Sequence, residues 1–85
     1  MIDVHSKDFR KRYSQLGRQG GHGSLAARKA SEIIGQTSMG VDATNSLTKN
    51  GESRIKNCIK YDLSHGYRLV TVEQGGHRYW LYIGT

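Results

Sequence analysis

The chain has 85 residues, a net charge of +6 and one cysteine. A lone cysteine cannot form an internal disulfide, no apolar run reaches the ~18 residues of a membrane span, and no apolar stretch after Met1 indicates a signal peptide. Collagen-like, disulfide-knot, zinc-ribbon and membrane proteins are thereby excluded, which leaves one small domain, residues 1–85, that we expect to be cytoplasmic and to bind nucleic acid or an acidic protein.

The N-terminal region predicts a short strand followed by a helix. Ile2 and Val4 alternate with polar residues, as in a strand. Ser6 suits the N-cap of a helix and Gly17 suits its end. The apolar stripe of this helix recurs at helical spacing and consists of Phe9, Tyr13 and Leu16.

A second helix is expected after the flexible glycine-rich turn at residues 20–23, with Ser24 as its cap. Its apolar stripe is formed by Ala26, Ala27, Ala30, Ile33 and Ile34. Because most of these side chains are small, the two helices can approach closely. The sequence therefore predicts an antiparallel helical hairpin.

Residues 35–53 are polar and turn-rich, and three strands are expected to follow at residues 54–63, 67–74 and 77–83. In the first of them, the residues expected to face the core are Ile55, Ile59, Tyr61 and Leu63. The residues expected on the opposite face are Lys56, Cys58, Lys60 and Asp62. The order β-α-α-β-β-β predicts an α+β domain in which a helical hairpin packs on one face of a small, mostly antiparallel sheet.

Several segments of the second half resemble a known family. They are Gly51-Glu52-Ser53-Arg54-Ile55-Lys56, Tyr61-Asp62-Leu63, Gly66-Tyr67-Arg68-Leu69-Val70 and Leu81-Tyr82-Ile83-Gly84-Thr85. Together with the predicted element order, they resemble the RelE/ParE superfamily of bacterial toxins, and most closely its RelE/HigB-like branch of ribosome-associated mRNA endonucleases. Members of that family usually continue beyond the last strand, so the resemblance implies a shortened or truncated toxin at Thr85.

The resemblance implies the toxin of a type II toxin–antitoxin module, which cleaves mRNA on the ribosome without a metal or other cofactor. Its expected partners are a cognate antitoxin, mRNA and the ribosome, and no membrane. The chemistry requires deprotonation of a 2′-hydroxyl, stabilisation of a pentavalent phosphorane and protonation of the leaving 5′-oxygen. A cluster of Lys and Arg can supply the charge stabilisation.

Arg68 lies in the best-matched segment and is the first candidate for phosphate binding and charge stabilisation. The other candidate catalytic residues are Lys60 and Lys56, which could contact the RNA backbone or act as the base. The candidate RNA-binding residues are Arg54, Arg78, Lys56, Lys60 and His65. For each of them the alternative is an ordinary solvated side chain on a strand or turn.

The remaining aromatic, cysteine and histidine residues favour structural roles. Tyr67 and Trp80 are expected in the core, although Trp80 could instead stack on a nucleobase. Cys58 has no neighbouring base, and no pair of the four histidines has metal-ligand spacing.

Two alternatives to the endonuclease stay open at the level of sequence. The first is a ParE-like inhibitor of DNA gyrase, which shares the fold and the Tyr-Arg strand. The second is a catalytically inert, truncated toxin that only binds its antitoxin.

Overall fold

The computed structural model describes residues 1–40 and 57–85, and these residues form two helices packed against a four-stranded mixed sheet. In chain order the elements are β1 (Ile2–His5), α1 (Lys7–Gln19), α2 (Gly21–Ser38), β2 (Cys58–Asp62), β3 (Arg68–Gln74) and β4 (His77–Gly84). The predicted α+β class and the predicted helical pair on one face of a sheet are confirmed in the described part of the chain.

The strand order in the sheet is β1-β4-β3-β2. β1 pairs parallel with β4, whereas β3 pairs antiparallel with both β4 and β2. The register between β3 and β4 shifts after Val70, because Val70 pairs with Tyr82 while Thr71 pairs with Trp80. Leu81 is therefore an extra residue in β4, as in a β-bulge.

The predicted start of α1 is confirmed, but its predicted end is wrong. The Ser6 hydroxyl accepts a hydrogen bond from the Phe9 backbone N–H at 3.0 Å and caps the helix. The helix continues through Gly17 and ends at Gln19, and the φ of 73° at the following Gly20 lies in the left-handed region. A glycine inside a helix weakens it by only about 1 kcal/mol, whereas reversal of the chain needs the positive φ that Gly20 provides.

α2 begins at Gly21, three residues before the predicted cap at Ser24. Gly23 is buried in its first turn, and a Cβ atom there would lie 2.7 Å from the side-chain oxygen of Gln19 and 3.3 Å from Leu16. The chain therefore uses the glycine run as the tightly packed start of a helix. The expected close approach of the helices is confirmed by three fully or nearly fully buried alanines, Ala26, Ala27 and Ala30.

The core lies between the helical pair and the sheet, and Trp80, Phe9 and Leu69 are its largest fully buried apolar side chains. The core predictions for Tyr61, Leu63 and Trp80 are confirmed, while Ile59, Tyr13 and Tyr67 are partly buried against the core. β2 begins only at Cys58, because Asn57 before it has a φ of 63° and interrupts the extended backbone. The strand predicted over residues 54–56, with Ile55, falls outside the described residues.

We expect Phe9→Ala to lower the free energy of unfolding by about 3–5 kcal/mol. Phe9 is 1% exposed, and its ring centroid lies 5.6 Å from that of His5 and 5.9 Å from that of Tyr13. An 85-residue domain has a total stability of only about 4–13 kcal/mol, so the loss is a large fraction of the total, and a domain at the low end of this range would be close to unfolded at 25 °C.

Urea unfolding followed by circular dichroism measures this loss. The control is Leu25→Ala, because Leu25 is 49% exposed on α2 and its truncation should change stability by no more than about 0.5 kcal/mol. Equal midpoints for the two variants would contradict the placement of Phe9 in the core.

Candidate nucleic-acid interface

The two faces of the sheet differ, because the helices cover only one of them. Leu69, Thr71 and Trp80 are fully buried on the helix-covered face. Side chains alternate along a strand, so the intervening residues lie on the opposite face, which we call the open face. On the described strands, before the bulge in β4, the open face includes Ile2, Val4, Cys58, Lys60, Asp62, Arg68, Val70, Val72, Gln74, His77 and Tyr79.

Two of the predicted catalytic residues, Lys60 and Arg68, lie together on the open face. Lys60 pairs with Val70 and Arg68 pairs with Asp62 across the β2–β3 ladder. Lys60 and Arg68 are therefore diagonal neighbours, and the Cα atoms of such neighbours in an antiparallel ladder are ~7–8 Å apart. Arg68 is exposed and Lys60 is half-buried. The structure thus brings two cations to one end of an uncovered sheet face.

Asp62 is a member of this site that the sequence analysis did not single out. Its Oδ1 lies 3.9 Å from Nε of Arg68, and both side chains are about half exposed. Such a pair stabilises a protein by no more than about 1 kcal/mol, but it holds the guanidinium near β2. The signal was present in the sequence, since Asp62 and Arg68 stand at equal distances from the turn at His65 and must face each other in a hairpin.

The structure places His65 against α2. His65 lies in the β2–β3 turn with a φ of 58°, and its ring stacks on that of His22 in the first turn of α2, with 3.5 Å between centroids. This contact joins the turn to the helical layer and engages the His65 ring with His22. The geometry therefore does not favour the predicted RNA contact of His65.

Arg78 lies on the helix-covered face, where the geometry does not favour the predicted phosphate contact. Its guanidinium bonds to Asp3 Oδ1 at 3.3 Å, to Glu73 Oε1 at 3.2 Å and to the Thr37 carbonyl at 3.3 Å. The Arg78 side chain is only 13% exposed. A guanidinium with two carboxylate partners is already neutralised and has little capacity left for RNA. The two other predicted contacts, Arg54 and Lys56, lie outside the described residues.

The carboxylate of Asp3 is the centre of this interior polar network. It accepts hydrogen bonds from Trp80 Nε1 at 3.0 Å, from Arg78 and from the Ser38 hydroxyl at 3.2 Å. Burial alone raises the pKa of Asp3, but the Trp80 hydrogen bond, the Arg78 charge and the remaining hydrogen bonds together lower that pKa below its ordinary value. The folded chain therefore favours the ionised carboxylate.

A cleft of about 220 Å³ lies where the end of β4 meets α1. The Arg12 guanidinium lies 5.0 Å from the centroid of the Tyr82 ring, within the range of a cation–π contact. The Tyr82 hydroxyl donates to the Thr85 carbonyl at 2.9 Å. Tyr67, which directly precedes β3, also lines this cleft and packs against the core.

Within residues 1–40 and 57–85, no cluster of three or more His, Cys, Asp or Glu side chains could hold a metal ion. Neither described helix has the length and apolarity to cross a membrane. No protein family, no curated protein and no solved structure matches this chain. The geometry of the open face is therefore what supports a functional assignment.

We expect Asp3→Asn to flatten the pH dependence of stability below about pH 5. The pKa of Asp3 is lower in the folded chain than its ordinary value of about 3.9, so its ionised form stabilises the fold above that value. This contribution is lost as the pH falls through the folded-state pKa. Thermal unfolding of both proteins from pH 6 to pH 2 measures the difference, and two parallel curves would contradict it.

We expect Arg78→Met to lower the free energy of unfolding by about 2–3 kcal/mol, because Asp3 and Glu73 lose a charged hydrogen-bond donor. The affinity of the folded variant for RNA should stay within twofold of the parent. Urea unfolding and fluorescence anisotropy measure the two quantities, with the exposed Arg28→Met as the control. A stable Arg78→Met protein that had lost RNA affinity would restore the phosphate role of Arg78.

Proposed function

We propose that the chain is the toxin of a type II toxin–antitoxin pair, with a RelE-like fold, and that it cleaves mRNA on the ribosome without a metal. The observation that carries this proposal is the meeting of Lys60 and Arg68 on the open face. The reaction, cleavage of mRNA, is what the resemblance to the RelE/HigB-like branch implies. Lys60 and Arg68 lie on β2 and β3, next to or within the segments that carry this resemblance.

In this proposal Arg68 binds the scissile phosphate. The substrate 2′-oxygen attacks phosphorus, the bond from phosphorus to the 5′-oxygen breaks, and a 2′,3′-cyclic phosphate and a 5′-hydroxyl form. The charge on the equatorial oxygens rises in the phosphorane, and a guanidinium can donate two parallel hydrogen bonds to them. Arg68 is exposed at the start of β3, where a strand of RNA can reach it.

Lys60 takes one of two roles: as an ammonium it is the second cation and the general acid, and as a neutral amine it is the general base. A neutral amine can accept the proton of the 2′-hydroxyl, and an ammonium can donate a proton to the leaving 5′-oxygen. Lys60 is half-buried between its neighbours on the ladder, which limits the rotamers of its long stem. Lys56 is assigned the same role by its position in the sequence and lies outside the described residues.

The Asp62 carboxylate favours a second candidate function. An anion 3.9 Å from Arg68 competes with phosphate for the guanidinium. In that case the same fold acts without catalysis, as a ParE-like gyrase inhibitor or as a domain that only binds its antitoxin. The competition is weak, because an exposed pair contributes at most about 1 kcal/mol and the scissile phosphodiester gains negative charge as the phosphorane forms. We therefore place the endonuclease first.

A cognate antitoxin has a basic surface to bind. The exposed cationic side chains of the helical pair are Lys7, Arg10, Lys11, Arg12, Arg18 and Arg28. Only Arg12 among them has a described ion pair, with Asp8 at 3.2 Å. An acidic or mixed partner can pair with the others and would add to the stability of the small domain through binding.

We expect Arg68→Ala to reduce the rate of mRNA cleavage by about 10²–10³, which is the usual effect of removing one preorganised donor to a developing charge. Arg68→Lys should recover only part of the rate, since an ammonium cannot make the bidentate contact. The measurement is single-turnover cleavage of mRNA in a reconstituted translation reaction with EDTA-washed toxin, scored by cyclic-phosphate ends.

The control is Arg28→Ala, which removes an equal charge from the exposed surface of α2 and should cleave like the parent. Circular dichroism confirms that each variant is folded. Full cleavage by Arg68→Ala would overturn the assignment of Arg68. Growth arrest by the parent with intact mRNA and inhibited DNA supercoiling would replace the endonuclease with the gyrase inhibitor.

A further inference from the structure

Two aromatic rings lie side by side on the open face, at the end of the sheet away from Arg68. The rings of His77 and Tyr79 have centroids 5.8 Å apart and planes inclined by 23°. Their strand neighbours Arg78 and Trp80 contact Asp3 and face the helices. Alternation along β4 therefore turns His77 and Tyr79 to the open face.

The surroundings of Tyr79 are flat and apolar. Tyr79 pairs with Val4 of β1 on one side and with Val72 of β3 on the other, and His77 pairs with Ile2. Ile2 is 62% exposed and the two valines are partly exposed. The uncovered face of a sheet is normally polar. A partly exposed ring among partly exposed aliphatic side chains therefore marks a candidate binding surface.

The backbone beneath the Tyr79 ring is held in place. The Thr71 hydroxyl, fully buried on the opposite face of the sheet, donates to the Tyr79 carbonyl at 2.8 Å. On the preceding residue, the Arg78 side chain forms ion pairs with Asp3 and Glu73. A ring on a fixed backbone loses little conformational entropy when a ligand stacks on it.

The charges on the open face select the kind of ligand. Lys60 and Arg68 are its cations, and Asp62 is its one carboxylate among the described strand residues. The other two strand carboxylates, Asp3 and Glu73, are turned to the helices and paired with Arg78. The face therefore combines two rings with an excess of positive charge, which is the combination that binds single-stranded nucleic acid.

We propose that Tyr79, with His77 beside it, stacks on an unpaired base of single-stranded RNA whose backbone crosses the sheet to Lys60 and Arg68. Tyr79 lies opposite Val72, four residues along β3 from Arg68, which corresponds to ~13 Å. This subsite rests on the proposed function for the identity of the nucleic acid, and it deepens that function by assigning the residues that hold the strand outside the reacting phosphate.

The experiment uses the full chain and a single-stranded RNA of twelve nucleotides with 2′-O-methyl groups, which cannot be cleaved because the nucleophile is blocked. A 2-aminopurine base is moved along the RNA one position at a time. Stacking on an aromatic ring quenches its fluorescence, so we expect one or two positions to be quenched on binding to the parent protein. The quenching should persist in Tyr79→Phe and disappear in Tyr79→Leu.

Affinity gives the second readout. Tyr79→Leu should weaken RNA binding by about 5- to 30-fold, the lower part of the range for one stacked base, and Tyr79→Phe should stay within about twofold. The slope of log affinity against log salt should be unchanged in Tyr79→Leu, because no phosphate contact is removed. The control is Leu25→Ser, which changes an exposed apolar residue on α2 and should bind like the parent.

Two results overturn the inference. One is equal affinity and equal quenching for Tyr79→Leu and Tyr79→Phe. The other is a dimer in sedimentation that Tyr79→Leu dissociates while RNA affinity stays unchanged, which would assign the face to a second copy of the chain. If Tyr79→Leu fails to fold, an RNA scanned with abasic positions tests the parent directly, and a uniform affinity across the scan overturns the subsite.

Failure of this subsite and failure of the proposed function are distinguishable. The RNA cannot react, so stacking is measured whether or not the chain is an endonuclease. Ring-dependent binding without mRNA cleavage would retain the subsite and reject the nuclease. Cleavage that depends on Arg68 without ring-dependent binding would retain the nuclease and reject the subsite.

Discussion

The carboxylate of Asp3 is the interaction on which the arrangement of the sheet depends. Trp80 is the largest fully buried side chain, and the N–H of a buried indole needs a hydrogen-bond acceptor. Asp3 provides it at 3.0 Å, and the same carboxylate receives Arg78 and the Ser38 hydroxyl at the end of α2. Asp3 thereby joins the edge strand β1 both to the neighbouring strand β4 and to the end of α2.

The same network determines the charge of the open face. Asp3 and Glu73 lie opposite Arg78 in the ladders, on the helix-covered side, and Arg78 pairs with both carboxylates there. The opposite face is left with Lys60 and Arg68 against Asp62 alone among its described strand residues. Strand alternation thus places two of the three strand carboxylates on one face of the sheet, in the ion-pair network of Arg78, and leaves an excess of cations on the opposite face of the described strands.

The sequence predicted what depends on local spacing and missed what depends on contacts between distant residues. The Ser6 cap and the core position of Phe9 follow from local hydrogen bonding and helical periodicity. The start of α2 could not be read from the glycine run, because Gly23 is fixed by packing against α1 and not by its own preference. The role of Arg78 was also hidden, since its partner Asp3 lies 75 positions away in the sequence. Lys60 and Arg68 could be placed together because a short hairpin turn determines the β2–β3 register.

The core of this chain is small, and yet some of its apolar side chains lie on the open face. These side chains would stabilise the fold more if they were buried. Leu, Ile, Val and Phe make up 17 of its 85 residues, yet Ile2, Val4 and Val72 remain partly exposed beside Tyr79. Cations alone would attract RNA without holding any base, because phosphate contacts carry no information about the bases. Rings alone would stack on many partners without long-range attraction. On this sheet the cations lie on β2 and β3 and the rings lie on β4. The cations therefore attract the RNA, and the rings hold one of its bases. We therefore expect salt to act mainly through the cations, and removal of a base to act mainly through the rings.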